Sequence, residues 1–455
     1  MLILSAFTFC NIVTDLNNLL WGIGVFILIA LIGIYFTIRI KFCNFIHIVH
    51  IFKETFAPTL SCASKKQKGK ISHFQALSTA LAASMGTGNI IGVAAAISIG
   101  GPGAIFWMWV SAIFGSSIGL VENTLGFLFQ SKGKGPMGYI STAYKSEQAS
   151  LAYALLCILA SFGIGNLTQA NAIASAAESF NIPHHISGVF ITILVGFVIL
   201  RGGKRVASAA EKLVPFAAVL YLAGAILVIV YYGNYISDIL ILIIKSAFGF
   251  NQISGGISGA ILKNAITVGL RRGIFSNEAG LGSSVLVHSE TSTNSAVKMG
   301  MFAVVEVVID TLICCTATAF VILLTGVDTQ NTEGLAIVAQ GFRTVMGNFA
   351  PIFVSSTTVI FAFCTLIGWY FYGEKCLDYI CKTGNSNAVF CYRILYIFSS
   401  FAGAVTQLKT VWEIADLLNW FMLVINLTAV IILHNHAVKE INKYTYSIKF
   451  NRKRK

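Results

Sequence analysis

The chain carries Ser84-Met85-Gly86-Thr87-Gly88-Asn89 in the middle of an otherwise apolar segment, residues 77–99. Two glycines and several polar side chains weaken a helix at this point. Inside a bilayer an unsatisfied backbone group costs several kcal/mol, so irregular backbone is tolerated only where protein or a water-filled cavity satisfies it. The interruption therefore predicts that backbone groups near residue 86 bind something.

The composition is that of a membrane protein. Of 455 residues, 56% are hydrophobic and only 11% are charged, whereas a soluble domain has about 25% charged residues. Such a chain has to face lipid, and each span needs about 20 apolar residues. We predict an all-α polytopic membrane protein with eleven transmembrane helices, at 18–38, 72–100, 103–130, 151–179, 184–200, 208–233, 257–288, 296–325, 349–375, 388–404 and 411–434.

Topology, rather than nucleic-acid binding, explains the net charge of +13. Of the 31 lysines and arginines, 24 fall in segments that alternate with segments holding only 3. The basic segments are 39–70, 131–147, 201–212, 288–298, 375–387 and 435–455. This positive-inside pattern predicts a multi-pass protein of the cell (inner) membrane with its N-terminus outside and its C-terminus in the cytoplasm. The partner is the lipid bilayer, and no obligate protein partner is evident.

The apolar segments after the first divide into two sets of five. The expected parts are 1–71 (an N-terminal transmembrane helix, an interfacial amphipathic helix and a basic linker), 72–233 (the first five-helix repeat), 234–256 (an external connecting segment), 257–434 (the second five-helix repeat) and 435–455 (a basic cytoplasmic tail). Each set begins with a glycine-interrupted segment, the second interruption falling somewhere in 269–282. Matching interruptions in two halves predict an inverted repeat with a binding site at their interface.

Five motifs occur in the order of a known family. They are TGNI (87–90), GGPGAIFWMWV (100–110), GNLTQAN (165–171), RGIFSNEAGLG (272–282), and FAFCTLIGW with YGE (361–369 and 372–374). Over about residues 70–434 the chain resembles the alanine or glycine:cation symporter family. The resemblance implies a leucine-transporter-like 5+5 inverted repeat with one extra N-terminal helix. It also implies sodium-driven import of a small neutral amino acid, alanine or glycine.

A zwitterionic substrate needs a positive end for its carboxylate and a negative end for its ammonium. Half-helix N-termini offer free N–H groups, which the amides of residues 87–89 would supply. A second interruption over 270–277 would offer carbonyls to the ammonium, with the Asn277 amide oxygen nearby. The candidate substrate-binding residues are Ser84, Thr87, Gly88, Asn89, Gly165, Gln169, Phe275, Ser276 and Asn277.

Two of these candidates lie in an unusually polar part of the third core span. Gln169 is the best pocket candidate there, and Gly165 would leave little bulk against a substrate side chain, which suits alanine or glycine over leucine. Glycines and amides also serve tight helix packing in membranes, so each of these residues has a purely structural alternative.

The coupling ion implied by the resemblance is Na+, which prefers oxygen ligands. The implied ligands are the carbonyls of Ala82, Met85 and Phe361 and the hydroxyl of Thr365. Cys364 occupies a position that is commonly serine in the family, and a neutral thiol is a poor sodium ligand. This departure leaves proton coupling open.

Several charged residues lie within or near the spans and are functional candidates by default. They are Glu122, Glu278, Glu306, Asp310, Glu374, Arg271 and Arg272. We expect some to pair with one another, for example Glu278 with an arginine, and Arg272 is a candidate for an outer gate. No nucleophile elbow, HExxH, Walker A or spaced Cys/His cluster occurs, so the sequence does not indicate an enzyme. A proton-coupled or glutamine-preferring carrier, or a non-transporting amino-acid sensor on this fold, remain alternatives.

The topology is tested with a reporter enzyme that becomes active only outside the cytoplasm. Fused after Lys455 it should stay inactive, and fused within residues 235–251 it should be active, because basic segments stay on the inner side. The opposite pattern would overturn the assignment from the lysines and arginines.

Overall fold

The computed structural model describes residues 13–17, 19–60, 71–249, 258–329, 331–332, 334–382, 386–406 and 408–453. The basic linker expected at 61–70 and part of the external connection, 250–256, lie outside the described residues. Within the described ranges the chain is helical and no β-strand occurs, the one extended pairing being an isolated bridge between Ile71 and Thr291.

Twenty α-helices follow one another along the described chain. They are α1 (Ile23–Arg39), α2 (Cys43–Ile46), α3 (Ile48–Leu60), α4 (His73–Ser84), α5 (Ile91–Gly100), α6 (Gly103–Leu128), α7 (Met137–Tyr144), α8 (Glu147–Phe162), α9 (Thr168–Glu178), α10 (His184–Ile199), α11 (Gly203–Tyr231), α12 (Ile236–Ala247), α13 (Ser258–Asn277), α14 (Ser283–His288), α15 (Ala296–Val307), α16 (Thr316–Leu324), α17 (Leu335–Met346), α18 (Ala350–Ile380), α19 (Ser386–Val405) and α20 (Leu408–Lys453). Two π-helical turns, Gly163–Leu167 and Val308–Cys315, join α8 to α9 and α15 to α16.

Each of the eleven expected apolar segments is helical. Among the described residues, seven helical stretches are long and apolar enough to cross a membrane, and α1, α5 and α10 are shorter apolar helices. The chain is therefore a multi-pass membrane protein. The helices α12 and α17 lie in regions that the sequence analysis treated only as connections.

The two interruptions differ in how the backbone leaves the helix. The first lies between α4 and α5 and contains a single 3-10 turn, Thr87–Asn89. The second was expected somewhere in 269–282, and only its narrower placement at 270–277 is wrong, because α13 continues through Asn277. The chain turns at 278–282 instead, where Glu278, Gly280 and Gly282 have φ angles of 51°, 88° and 77°. Glycine adopts such angles without steric cost, which explains why the helix ends there.

Helix α6 lies at the centre of the bundle, in contact with α1, α13, α15 and α20. Close approach depends on small residues: a side-chain carbon at Gly300 of α15 would lie 2.6 Å from the carbonyl oxygen of Leu120 in α6. Glycine at such crossings allows backbones to pack where lipid supplies no hydrophobic driving force. The two interrupted helices are thus held against one rigid element.

The N- and C-terminal parts of the chain pack against each other. The Trp21 indole donates to the Asp416 carbonyl at 3.1 Å, and the Trp420 indole donates to the Leu20 carbonyl at 3.0 Å. The stretch 435–455, expected as a tail, is helical as far as residue 453, as a continuation of α20. The Asn442 amide donates to the Arg39 carbonyl at 3.1 Å, so this extension holds the C-terminal end of α1.

The expected interfacial amphipathic helix, residues 42–58, corresponds to α2 and α3. Helix α3 packs against α15, and the Glu54 carboxylate pairs with the Lys298 ammonium at 2.6 Å. The hydrogen bond from Lys298 lowers the pKa of Glu54. Nε2 of His50 in α3 lies 3.2 Å from the Tyr444 hydroxyl.

Candidate functional site

A side chain from α9 closes the first interruption. Thr87 donates its backbone N–H (3.4 Å) and its hydroxyl (3.2 Å) to Oε1 of Gln169. The Gln169 amide nitrogen donates to the Ile164 carbonyl in the π turn at 3.2 Å. Thr87 and Gln169, predicted from separate parts of the sequence, therefore meet. The Gln169 side chain therefore accepts from the Thr87 backbone N–H, the group to which we expect a substrate carboxylate to bind.

A buried carboxylate connects the two interruptions. The Asn89 side-chain amide donates to Oδ1 of Asp310 at 2.7 Å, and the Ser276 hydroxyl donates to Oδ2 of Asp310 at 2.5 Å. The Thr311 hydroxyl adds a third bond to Oδ2 at 2.9 Å. Asp310 was predicted only as one of several charged residues in the spans. The signal that points to it is an acid inside an apolar segment, because such groups are costly to bury without partners.

Glycines 86 and 88 face different neighbours. A side-chain carbon at Gly86 would collide with the Thr365 hydroxyl, whereas one at Gly88 would lie 3.6 Å from the Phe275 ring. Phe275 in turn packs on Trp412, with 5.1 Å between ring centroids. The structure thus places the candidate residues Gly88 and Phe275 next to each other, and it makes Gly86 the sterically demanding position.

The predicted sodium ligands lie where α18 crosses the end of α4. A side-chain carbon at Gly368 of α18 would lie 2.7 Å from the Ala83 backbone nitrogen, so the two helices touch. Phe361, Cys364 and Thr365 of α18 are buried, as are the predicted ligands Ala82 and Met85.

The buried Thr365 hydroxyl has no hydrogen-bond partner among the described residues. Met85 already has non-helical backbone angles, φ −76° and ψ 78°, so its carbonyl leaves the helical direction. A free hydroxyl beside irregular carbonyls fits a hard cation such as Na+.

The sequence of residues 6–455 matches the sodium:alanine symporter family. The chain belongs to this family. It is 34% identical to the sodium/alanine symporter AgcS of Methanococcus maripaludis, over 96% of this chain and 97% of that protein. It is 37% identical to the probable sodium/glutamine symporter GlnT of Bacillus subtilis, over 96% of this chain and 90% of that protein.

The fold of this family member is similar to that of MhsT, a protein solved in complex with L-phenylalanine. The TM-score is 0.56 at 14% identity, and the match covers 80% of this chain and 89% of MhsT. The predicted leucine-transporter-like fold is therefore confirmed at the level of overall architecture.

Three predicted substrate-site residues of this family member have structural partners. A side chain at Gly165 would collide with Trp369, so this glycine makes room for the indole. The Asn277 amide oxygen accepts the Ala279 N–H at 3.1 Å and caps the end of α13. The Ser84 hydroxyl donates to the Ala80 carbonyl at 3.3 Å.

The charged side chains near the end of α13 have defined partners. Arg271 forms an ion pair with Asp416 of α20, and the Arg272 guanidinium lies 5.6 Å from the centre of the Trp412 ring. The ion pair therefore involves Arg271, while Arg272 makes a cation–π contact. Glu278 accepts a hydrogen bond from Ser283 at 2.6 Å, so the expected arginine partner for Glu278 is wrong.

Substitution of Gly86 by alanine tests the contact with Thr365. The added methyl group would displace the Thr365 hydroxyl, and overpacking costs about 1–3 kcal/mol. We expect the apparent sodium affinity of labelled-alanine uptake to fall about tenfold. Gly92→Ala is the control, because a side-chain carbon at Gly92 meets nothing within 4 Å. Equal sodium curves for the two variants would contradict the role given to Gly86.

Proposed function

We propose that this protein is a secondary active symporter that imports a small neutral amino acid, alanine or glycine, with the sodium gradient as its driving force. The observation that carries the proposal is the environment of Gly86. On one side the Thr87 backbone N–H donates to Gln169, an acceptor that a substrate carboxylate could replace. On the other side lies the Thr365 hydroxyl, which has no partner among the described residues. One interruption thus offers donors for an anion and acceptors for a cation within adjacent residues.

The architecture we propose is eleven transmembrane helices in a 5+5 inverted repeat. Helix α1 is the extra N-terminal span, α4 to α11 form the first repeat, and α13 to α20 form the second. The charge asymmetry supports an outer N-terminus and a cytoplasmic C-terminus. The two interruptions then occupy corresponding first positions in the repeats, as in other transporters built this way.

In the proposed binding pose the substrate carboxylate takes over the amide of Thr87, and the Gln169 side chain moves aside. The ammonium faces the end of α13, where the last carbonyls of a helix lack intrahelical partners. The Phe275 ring beside Gly88 limits the room for a substrate side chain. This restriction supports a small substrate, and AgcS is named for alanine. GlnT is named for glutamine, which makes glutamine the competing substrate.

The proposed sodium site uses the carbonyls of Ala82, Met85 and Phe361 with the Thr365 hydroxyl. These groups come from α4, the first interruption and α18. Binding of Na+ would stabilise the interruption against α18, so the ion and the substrate site share one flexible backbone segment. Cys364 supplies no hard ligand, and we expect water to complete the coordination.

Uptake by purified protein in liposomes tests the proposed activity. With sodium higher outside, labelled alanine or glycine should accumulate above its external concentration, because sodium entry drives it. Unlabelled alanine, glycine and glutamine as competitors rank the substrates. Uptake that only equilibrates under any sodium gradient would refute sodium symport, and uptake driven solely by a proton gradient would identify the proton-coupled alternative.

The ion site is tested on α18 itself. Thr365→Val keeps the shape but removes one oxygen, and Cys364→Ser replaces a soft sulfur by a hard oxygen. We expect the apparent sodium affinity to fall about tenfold in the first variant and to rise in the second, on a scale of about 1.4 kcal/mol. The measurement is the initial rate of alanine uptake against sodium concentration.

Thr358→Val is the matched control for these variants. Thr358 is also a buried threonine of α18 whose hydroxyl has no partner among the described residues, but it lies outside the proposed ligand set. If Thr358→Val weakens sodium binding as much as Thr365→Val does, the effect is a general loss of polarity and the ligand assignment is wrong.

A further inference from the structure

The inner half of the second interrupted helix ends in a buried histidine that faces a buried acid. His288 is the last residue of α14, and its Nε2 lies 3.9 Å from Oε2 of Glu306 in α15. The His288 side chain has no exposed area and that of Glu306 has 2%. Among the described residues neither Nε2 of His288 nor Oε1 of Glu306 has a hydrogen-bond partner.

Asn123 fixes which imidazole nitrogen carries hydrogen. The Asn123 amide nitrogen donates to the Gly119 carbonyl (3.0 Å) and to the Ser284 hydroxyl (3.1 Å). Its Oδ1 therefore faces Nδ1 of His288, at 3.0 Å, and can only accept. Nδ1 then carries a hydrogen in every protonation state of the pair, and Nε2 is the nitrogen that gains or loses a proton towards Glu306.

The surroundings of the pair contain further acids and few compensating charges. Glu122, Glu278 and Asp310 act on Glu306 electrostatically, from α6, the second interruption and the π turn. The Tyr372 hydroxyl of α18 is also close enough to sense Glu306. No lysine or arginine is among the buried residues that the structure describes. A carboxylate in this position cannot remain charged without a counter-cation, because the cost of burying it is high.

The Phe302 ring packs beside the His288 ring. The Phe302 ring lies 5.3 Å from the His288 ring and 5.6 Å from the ring of His73, which begins α4. His73 is partly exposed, and Lys298 of the Lys298–Glu54 ion pair is close enough to act on it electrostatically. A proton leaving His288 would need water beside the Phe302 ring to reach His73.

We propose that His288 and Glu306 form a proton-binding site, in which one proton is shared between Nε2 and the Glu306 carboxyl. The proton lies on the carboxyl and points at a neutral imidazole, or lies on Nε2 and makes an imidazolium–carboxylate pair. Either form leaves the pair with no net charge. Na+ prefers several oxygen ligands, whereas this pair offers one imidazole nitrogen and one carboxylate. The ion that the pair binds is therefore the proton.

Because His288 belongs to α14 and Glu306 to α15, the shared proton holds these two helices together. We call this connection the latch. When α14 lies against α15, the proton is held between them. When α14 moves away, Nε2 and the carboxyl separate and water can enter between the helices, and the hydrated Glu306 carboxyl can then release the proton towards His73. The proton site itself does not depend on amino-acid transport. Only its release during the transport cycle depends on the proposed function.

Infrared difference spectroscopy of the purified protein in lipid, without sodium or amino acid, tests the site. Between about pH 6 and about pH 9 wild type should lose the C=O stretch of a protonated carboxyl together with a change in the imidazole bands. Glu306→Gln keeps the shape of the side chain and should lose this signal. Glu122→Gln removes a buried acid that bonds to Asn426 rather than to a histidine, and should keep it.

His288→Gln should shift the pH midpoint of the carboxyl signal by about one unit, a tenfold change in proton affinity. If that variant does not fold, Asn123→Leu removes the acceptor that fixes Nδ1–H and should shift the midpoint as well. Folding is checked by circular dichroism and gel filtration. A carboxyl signal that is the same in wild type and Glu306→Gln, or a midpoint unmoved by the change at His288 or Asn123, overturns the proposal.

Uptake at a constant sodium gradient tests release during transport. The initial rate in wild type should change severalfold as the internal pH is varied, and in Glu306→Gln it should not. Absence of uptake in wild type at every pH refutes the transport function, whereas the infrared result alone decides on the proton site. A normal infrared signal with the same pH profile of uptake in both proteins overturns the latch.

Discussion

The Asp310 carboxylate is the interaction on which both interrupted helices depend. It accepts hydrogen bonds from Asn89 in the first interruption and from Ser276 at the end of α13. These two donors lie far apart in the sequence. A buried carboxylate without donors is strongly unfavourable, so the two segments are held at one place. The π turn Val308–Cys315 carries the carboxylate, and such turns are frequent at functional sites.

The sequence predicts the helices well because apolar length is a local property. It also predicts the first interruption to the residue, since the polar and glycine residues at 84–89 stand inside an apolar segment. The second interruption was only bracketed. Two adjacent arginines, Arg271 and Arg272, suggest that the apolar span is interrupted there. They remain helical because Arg271 forms an ion pair with Asp416 and Arg272 lies against the Trp412 ring. That compensation comes from α20, far away in sequence.

The site was predictable as a set of residues but not as a set of contacts. The candidate residues Thr87 and Gln169 are hydrogen-bonded to each other, whereas Gly165 makes room for Trp369 and Asn277 caps the end of α13. A glycine in a membrane helix makes room either for a ligand or for a neighbouring side chain, and its own sequence context is the same in both cases. Only the residue that occupies the space, Trp369 here, distinguishes the two.

The arginines near the end of α13 and the buried acids around α14 differ in how their charges are balanced. Arg271 pairs with Asp416, and Arg272 lies against the Trp412 ring. Around α14 the described buried side chains include Glu122, Glu278 and Glu306 without a buried lysine or arginine. An amino-acid zwitterion brings no net charge to this region. Small cations would neutralise it, which gives the proposed sodium ion at Thr365 and the proposed proton at Glu306 complementary roles.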